Sequence, residues 1–239
     1  MNTADLKDEP TKVDFKLSAL ALRTMYGATT TDVIPFIEKH MLTYEINSKQ
    51  RMAAFLSSCF LLSSGFRRRA ENYSYTAMRL FKECDKVDSF QLATRLVRNG
   101  EREIANYLFS FENGNGGIDS DDGWQFRART PLQFRGRNLY ELVNQESGLD
   151  CVNNPDLLDD VENSIIAAMV FWKTQGFNEA VDGIKFDGTH LMKVRACLPG
   201  RSRDYRSNRV ALKLKMKLNN STTGLTDFCN CIELGMLHL

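Results

Sequence analysis

The chain has 239 residues and a mass of 27.2 kDa, enough for one medium domain or two small ones that share a core. Apolar residues at 43%, charged residues at 26% and a formal charge of +1 exclude a disordered chain, a collagen-like chain and a coiled-coil rod, and they give no global field for nucleic acid or anionic membrane. No apolar run approaches the roughly 18–20 residues of a membrane-spanning helix. The N-terminal residues also lack the apolar stretch of a secretory signal, so the expected compartment at synthesis is the cytoplasm, with export by another route left open.

Residues 1–14 are polar, carry Pro10 and predict a disordered lead-in. From Lys16 the pattern turns helical. Leu17, Leu20, Ala21 and Met25, then Val33, Phe36, Ile37, His40 and Met41, recur at three-and-four spacing. Thr31 or Asp32 is placed to cap the second of these helices, and Pro35 falls in its first turn, where no N–H is needed. A third helix is predicted from about Ser48 through Met52, Phe55, Leu56 and Cys59 to Leu62, stopping at Ser63-Ser64-Gly65. Shorter helices are expected at 75–85, 89–99 and 101–109. Asn113 to Gly123, rich in Gly, Asn and Asp, reads as loop without regular structure. Helices follow at Arg137–Gln145 and from near Pro155, and then a strongly apolar one at Val161–Thr174 ends at Gly176.

Strand pattern is nearly absent. Only at 211–218 do Leu212, Leu214, Met216 and Leu218 alternate with lysines, and a basic helix end is the alternative there. Residues 219–239 are apolar, turn-rich and unassigned. The expectation is a mainly α chain with at least seven helices around one core, the helix 161–174 at its centre.

The six cysteines, at 59, 84, 151, 197, 229 and 231, lack the dense spacing of a disulfide scaffold, so reduced thiols are expected. Cys229 and Cys231 with His238 do not complete a zinc site, and no metal or cofactor is implied. Between Lys193 and Lys217 stand nine basic residues and one acid, Asp204. That face suits solvent or anionic wall polymers. Nucleic acid is disfavoured, because Tyr205 alone supplies an interleaved aromatic.

One segment carries more information. Gly123-Trp124-Gln125-Phe126-Arg127-Ala128-Arg129-Thr130-Pro131-Leu132-Gln133-Phe134-Arg135-Gly136-Arg137-Asn138-Leu139-Tyr140 resembles the signature of family-19 chitinases and related phage endolysins, GW-x-YRGRG-x-IQLTGR-x-NY. Upstream, Ile104-Ala105-Asn106 and Gly114-Asn115-Gly116 match that family's approach to the signature. Downstream, Leu149-Asp150, Asn154-Pro155-Asp156-Leu157-Leu158 and Phe171-Trp172 with Gly176 and Asn178 match its later succession. The likeness runs from about residue 15 to 210, so the domain expected from it is 15–218. It implies a bilobal, lysozyme-like α-fold with a glycan cleft between the lobes. It also implies inverting hydrolysis by two carboxyl groups, one protonating the leaving oxygen and one activating water on the far face.

In the family the acid lies in an AHESGGF-like segment and the base nine residues later. Here that segment reads Phe60-Leu61-Leu62-Ser63-Ser64-Gly65-Phe66, so Leu62 stands at the acid position. Glu71, in Ala70-Glu71-Asn72, stands at the base position (71 − 62 = 9). The resemblance implies that Glu71 faces the inter-lobe groove with an accessible carboxylate. A bare reading of the residues pairs it with Arg67, Arg68 or Arg69. Substrate contacts are implied at Arg127, Arg129, Gln133, Tyr140 and Ser120, against the plainer alternatives of structural ion pairs and buried polar ties. Asp119, Asp121 and Asp122 are either a replacement acid or a solvated acidic loop. Ala128, Thr130 and Pro131 replace a glycine-rich turn, Arg135 replaces a threonine, and Val194-Arg195-Ala196-Cys197 replaces an INGG element. Losses fall on the catalytic features and spare the core-forming motifs.

Three readings follow. The first is a pseudoenzyme that binds a cell-wall glycan or a protein partner at the former cleft. The second is a working muralytic or chitinolytic hydrolase using Glu71 with an unidentified acid. The third is an interaction or regulatory protein of a phage or bacterium with no carbohydrate role. An apolar helix end at Cys59-Phe60-Leu61-Leu62 implies either a filled cleft or a hydrophobic cleft floor.

Overall fold

The computed structural model describes Leu17, Ala19, residues 31–68 and residues 70–182. The expectations for 1–14, 193–217 and 219–239, the strand at 211–218, the Cys229–Cys231 pair and the side chain of Arg69 lie outside these residues. Among the described residues the chain is mainly helical and has no strand. The helices are α1 (Ile34–His40), α2 (Lys49–Ser63), α3 (Ala77–Glu83), α4 (Phe90–Asn99), α5 (Glu101–Phe109), α6 (Asp122–Gln125), α7 (Arg137–Ser147), α8 (Val161–Thr174) and α9 (Phe177–Asp182). Single 3-10 turns occupy Ile118–Ser120 and Pro155–Asp159.

The starts of these helices follow their side-chain chemistry. Ser48, Thr76, Ser89 and Asp160 each accept a hydrogen bond from a first-turn N–H, capping α2, α3, α4 and α8. At α1 the N-cap is Val33 with no side-chain bond, rather than Thr31 or Asp32. Pro35 in the first turn makes that start tolerable, because its missing N–H has no partner to lose. The loop expected at 113–123 is partly regular: α6 begins at Asp122 and packs on α5. Gly123 decides that contact, since a Cβ there would come within 2.4 Å of the Ala105 carbonyl oxygen.

Two apolar clusters replace the single core that periodicity implies. The larger joins α1, α2, α7, α8 and α9 through residues such as Ile37, Phe55, Leu56, Tyr140, Ile165 and Phe171. The smaller gathers Tyr73, Leu80, Ala93, Leu96, Ile104, Ala105 and Phe109 from α3, α4, α5 and the segment before them. Helix α8 is central to the first, with Ser164, Ile165 and the run 167–172 buried. A helix apolar on nearly all faces needs neighbours on all faces, and α1, α7 and α9 supply them. Trp172 is core, edge-on to Phe55, and its Nε1 donates to Asn178 Oδ1 at 2.9 Å.

Candidate functional site

Helix α2 runs through the larger cluster and ends where the resemblance places the lost acid. Its buried hydroxyls are satisfied locally: Ser57, Ser58 and Ser63 donate to the carbonyls of Ala53, Ala54 and Cys59. Ser63 Oγ also accepts from Phe66 N at 2.7 Å. Ser64, Gly65 and Phe66 then take left-handed backbone in succession, which reverses the chain toward Glu71. Leu62 is 5% exposed and belongs to the apolar cluster, as do Cys59 and Phe66. The helix end is therefore packed over, and burial pushes the Cys59 thiol well above its ordinary pKa.

Glu71 lies in the seam between the two clusters. Its N–H donates to Ala128 O at 2.8 Å, tying it to the signature segment. The carboxylate is engaged at both oxygens: Arg135 Nη2 donates to Oε1 at 2.8 Å and the Tyr73 hydroxyl donates to Oε2 at 3.0 Å. Side-chain exposure is 17% for Glu71 and 3% for Arg135. The accessible carboxylate that the resemblance implies is thus mostly covered. One cationic partner, Arg135, comes from 64 residues away in the chain.

Arg135 is fixed from several sides. Its guanidinium carbon sits 4.2 Å from the Phe109 ring centroid, in the smaller cluster, while its neighbour Phe134 packs in the larger one. Its carbonyl accepts from Asn113 Nδ2 at 3.1 Å. Gly136 follows at φ +102, where a Cβ would fall 2.3 Å from that of Asn113, so the turn holding Arg135 requires glycine. Tyr73 is buried. Desolvation and then the Glu71 charge push its phenol well above the ordinary range, with Arg135 opposing. Its backbone N–H donates to Glu101 Oε2 at 2.9 Å, and Ser74 Oγ donates to Glu101 Oε1 at 2.6 Å. These two hydrogen bonds hold the Glu101 carboxyl below its usual pKa.

The other implied contacts divide. Arg129 is 1% exposed and pairs with Asp156 Oδ1 at 2.5 Å and Asp159 Oδ1 at 3.2 Å, and its Nη1 also donates to the Gln125 carbonyl and the Tyr140 hydroxyl. Tyr140 is fully buried and donates to Arg127 O at 2.6 Å; burial pushes its phenol up to about 12 although Arg129 pulls the other way. Gln133 is buried at φ +55, closing the turn by donating to Thr130 O at 2.8 Å. Arg127 is half-buried, stacked 4.2 Å over the Trp124 ring, and donates to Trp124 O at 3.0 Å. Burial, then the neighbouring Arg129 charge, lowers its pKa.

Ser120 is exposed and donates to Gly117 O at 2.7 Å, on a different loop from the Glu71 seam. The solvated acidic loop is corrected in part. Asp121 pairs with Arg102, and Asp122 is 4% exposed with Arg137 on both oxygens, while Asp119 is exposed. Among the described residues no group of His, Cys, Asp and Glu is arranged to hold a metal ion. Sequence reasoning missed Tyr73, Phe109 and Glu101 as seam residues. Only Arg135, flagged as a departure from the threonine pattern, offered a signal.

A glycosyl hydrolase family 19 domain-containing protein of Haemophilus influenzae is 29% identical over 126 residues, 53% of this chain and 62% of that protein. The chain is related to the family-19 glycosyl hydrolases. An acidic 27 kDa endochitinase of Solanum lycopersicum is 41% identical over 58 residues, 24% of each chain. The matched region thus spans less than two thirds of either curated relative. No family model matches the chain. The family-19 relationship agrees with the mainly helical fold and with the order of motifs in the sequence.

Proposed function

We propose that this chain is a non-hydrolytic relative of the family-19 enzymes, its scaffold kept for binding a cell-wall glycan or a protein partner at the former cleft. One observation carries the reading: the single carboxylate left at the paired positions, Glu71, is bound by Arg135 and Tyr73, while the acid position is the packed Leu62. A general base acts on a water within hydrogen-bond reach, and a general acid needs a proton to give; each role is worth about 10²–10⁴-fold. Leucine supplies none, and the Glu71 oxygens already have partners.

Digestion of chitin oligomers and peptidoglycan tests the proposal. The expected result is no reducing ends above buffer. Turnover that vanishes in Glu71→Gln overturns it in favour of the working hydrolase. Sugar titration then separates the glycan from the protein partner. The protein reading has support beside the smaller cluster, where Phe81 and Phe90 are exposed and their rings meet edge-on at 6.4 Å.

A further inference from the structure

Two distant stretches of chain meet at the Arg135 guanidinium. Arg135 lies against Glu71 at 2.8 Å and over Phe109 at 4.2 Å; Tyr73 holds the other oxygen of Glu71, and Asn113 holds the backbone of Arg135. Phe109 and Tyr73 belong to the smaller cluster, whereas Phe134 and Leu132 on the arginine's own loop belong to the larger. The ion pair therefore bridges the two clusters, at the place where the family likeness expects a cleft. We propose that Arg135 is a built-in lock: its contact with Glu71 keeps the seam shut, and the site opens to a ligand only when that ion pair breaks.

The energetics of the pair suit a lock better than a rivet. Taking two charges out of water offsets much of their mutual attraction, so a covered ion pair holds the seam by a modest net margin and gives way more readily than apolar packing. Apolar contacts such as those of α8 have no such compensation, because exposing them gains nothing from water. Arg135 Nε is also buried with no hydrogen-bond acceptor among the described residues, a deficit that hydration on opening would relieve. Opening is thus less opposed at the seam than in the apolar packing around α8. Any ligand that needs the open form binds more weakly by the fraction of molecules that are open. This deepens the non-hydrolytic reading by stating how its site is regulated.

Amide hydrogen exchange on the full chain tests the lock, comparing wild type with Arg135→Thr and with the double variant Glu71→Gln/Arg135→Thr, which leaves neither charge buried alone. The expected result is exchange at least tenfold faster over residues 70–76 and 126–136, with α8 changed less than twofold. Acceleration equal in α8 and the seam marks Arg135 as ordinary stabilising structure and overturns the lock. So does no change at the seam, and so does failure of both variants to fold. Release of reducing ends by the wild-type protein would instead overturn the non-hydrolytic reading while leaving the exchange result to stand.

Discussion

Helix α8 and the seam around Glu71 are both largely buried, but by different means. Along α8 the buried side chains are apolar or small, and their contacts come from helices α1, α7 and α9. Around Glu71 the covered groups are an arginine, a carboxylate, a tyrosine hydroxyl and a glutamine; Arg135 reaches Glu71 from 64 residues away, while Tyr73 and Gln133 bond two and three residues along the chain. Dispersion and hydrophobic burial tolerate small shifts; a covered ion pair loses its partner outright when one side is removed. The first region holds the fold, and the second closes what the fold would otherwise expose.

The comparison can be broken at its apolar end first. Phe171→Ala should cost about 4 kcal/mol, since it removes a ring stacked on Phe134 at 5.1 Å and leaves a cavity in the larger cluster. Denaturant titration giving a loss below about 1 kcal/mol would remove α8 from its central role.

Glu71→Gln should cost about 3 kcal/mol by stranding Arg135, a little below a fully buried pair because Glu71 keeps 17% exposure. Wild-type stability in that variant would show that the seam contributes nothing and that the contrast with α8 is empty. Leu62→Glu should come next, at about 2–3 kcal/mol, because it places a carboxylate among apolar neighbours. No chitin or peptidoglycan hydrolysis should appear in it, since Ala128, Thr130 and Pro131 have also changed the turn beside the site; measurable turnover would show that the acid alone was missing.

A smaller effect is expected from pH. The Tyr140 phenol, pushed up to about 12 in the folded chain against about 10 unfolded, binds its proton more tightly when folded. The stability this represents is complete below pH 10 and is lost as pH rises through 12, about 3 kcal/mol in all, of which about half is gone by pH 11. Urea midpoints at pH 9 and pH 11 should fall more steeply in wild type than in Tyr140→Phe; parallel falls would locate the alkaline transition elsewhere. The smallest change is Ser120→Ala. The exposed hydroxyl bonds only within its own turn, so a shift under about 0.5 kcal/mol is expected by thermal melting.

Sequence alone determined most of the helices. Capping residues and apolar spacing are local signals, so α2, α4, α5 and α8 begin and end within a residue or two of the expected 48–62, 89–99, 101–109 and 161–174. The order of motifs pointed to the family-19 relationship that the relatives support, and it is only through that resemblance that Leu62 and Glu71 are read as the acid and base positions. Tertiary structure decided the rest. Periodicity marks which face of a helix is apolar but not which other face it meets, so one predicted core became two clusters. Nothing local to Glu71 names a partner 64 residues away, and nothing local to Asp122 announces Arg137 across a turn. Ion pairs form between side chains that the fold brings within about 4 Å, a distance in space that separation along the chain does not encode.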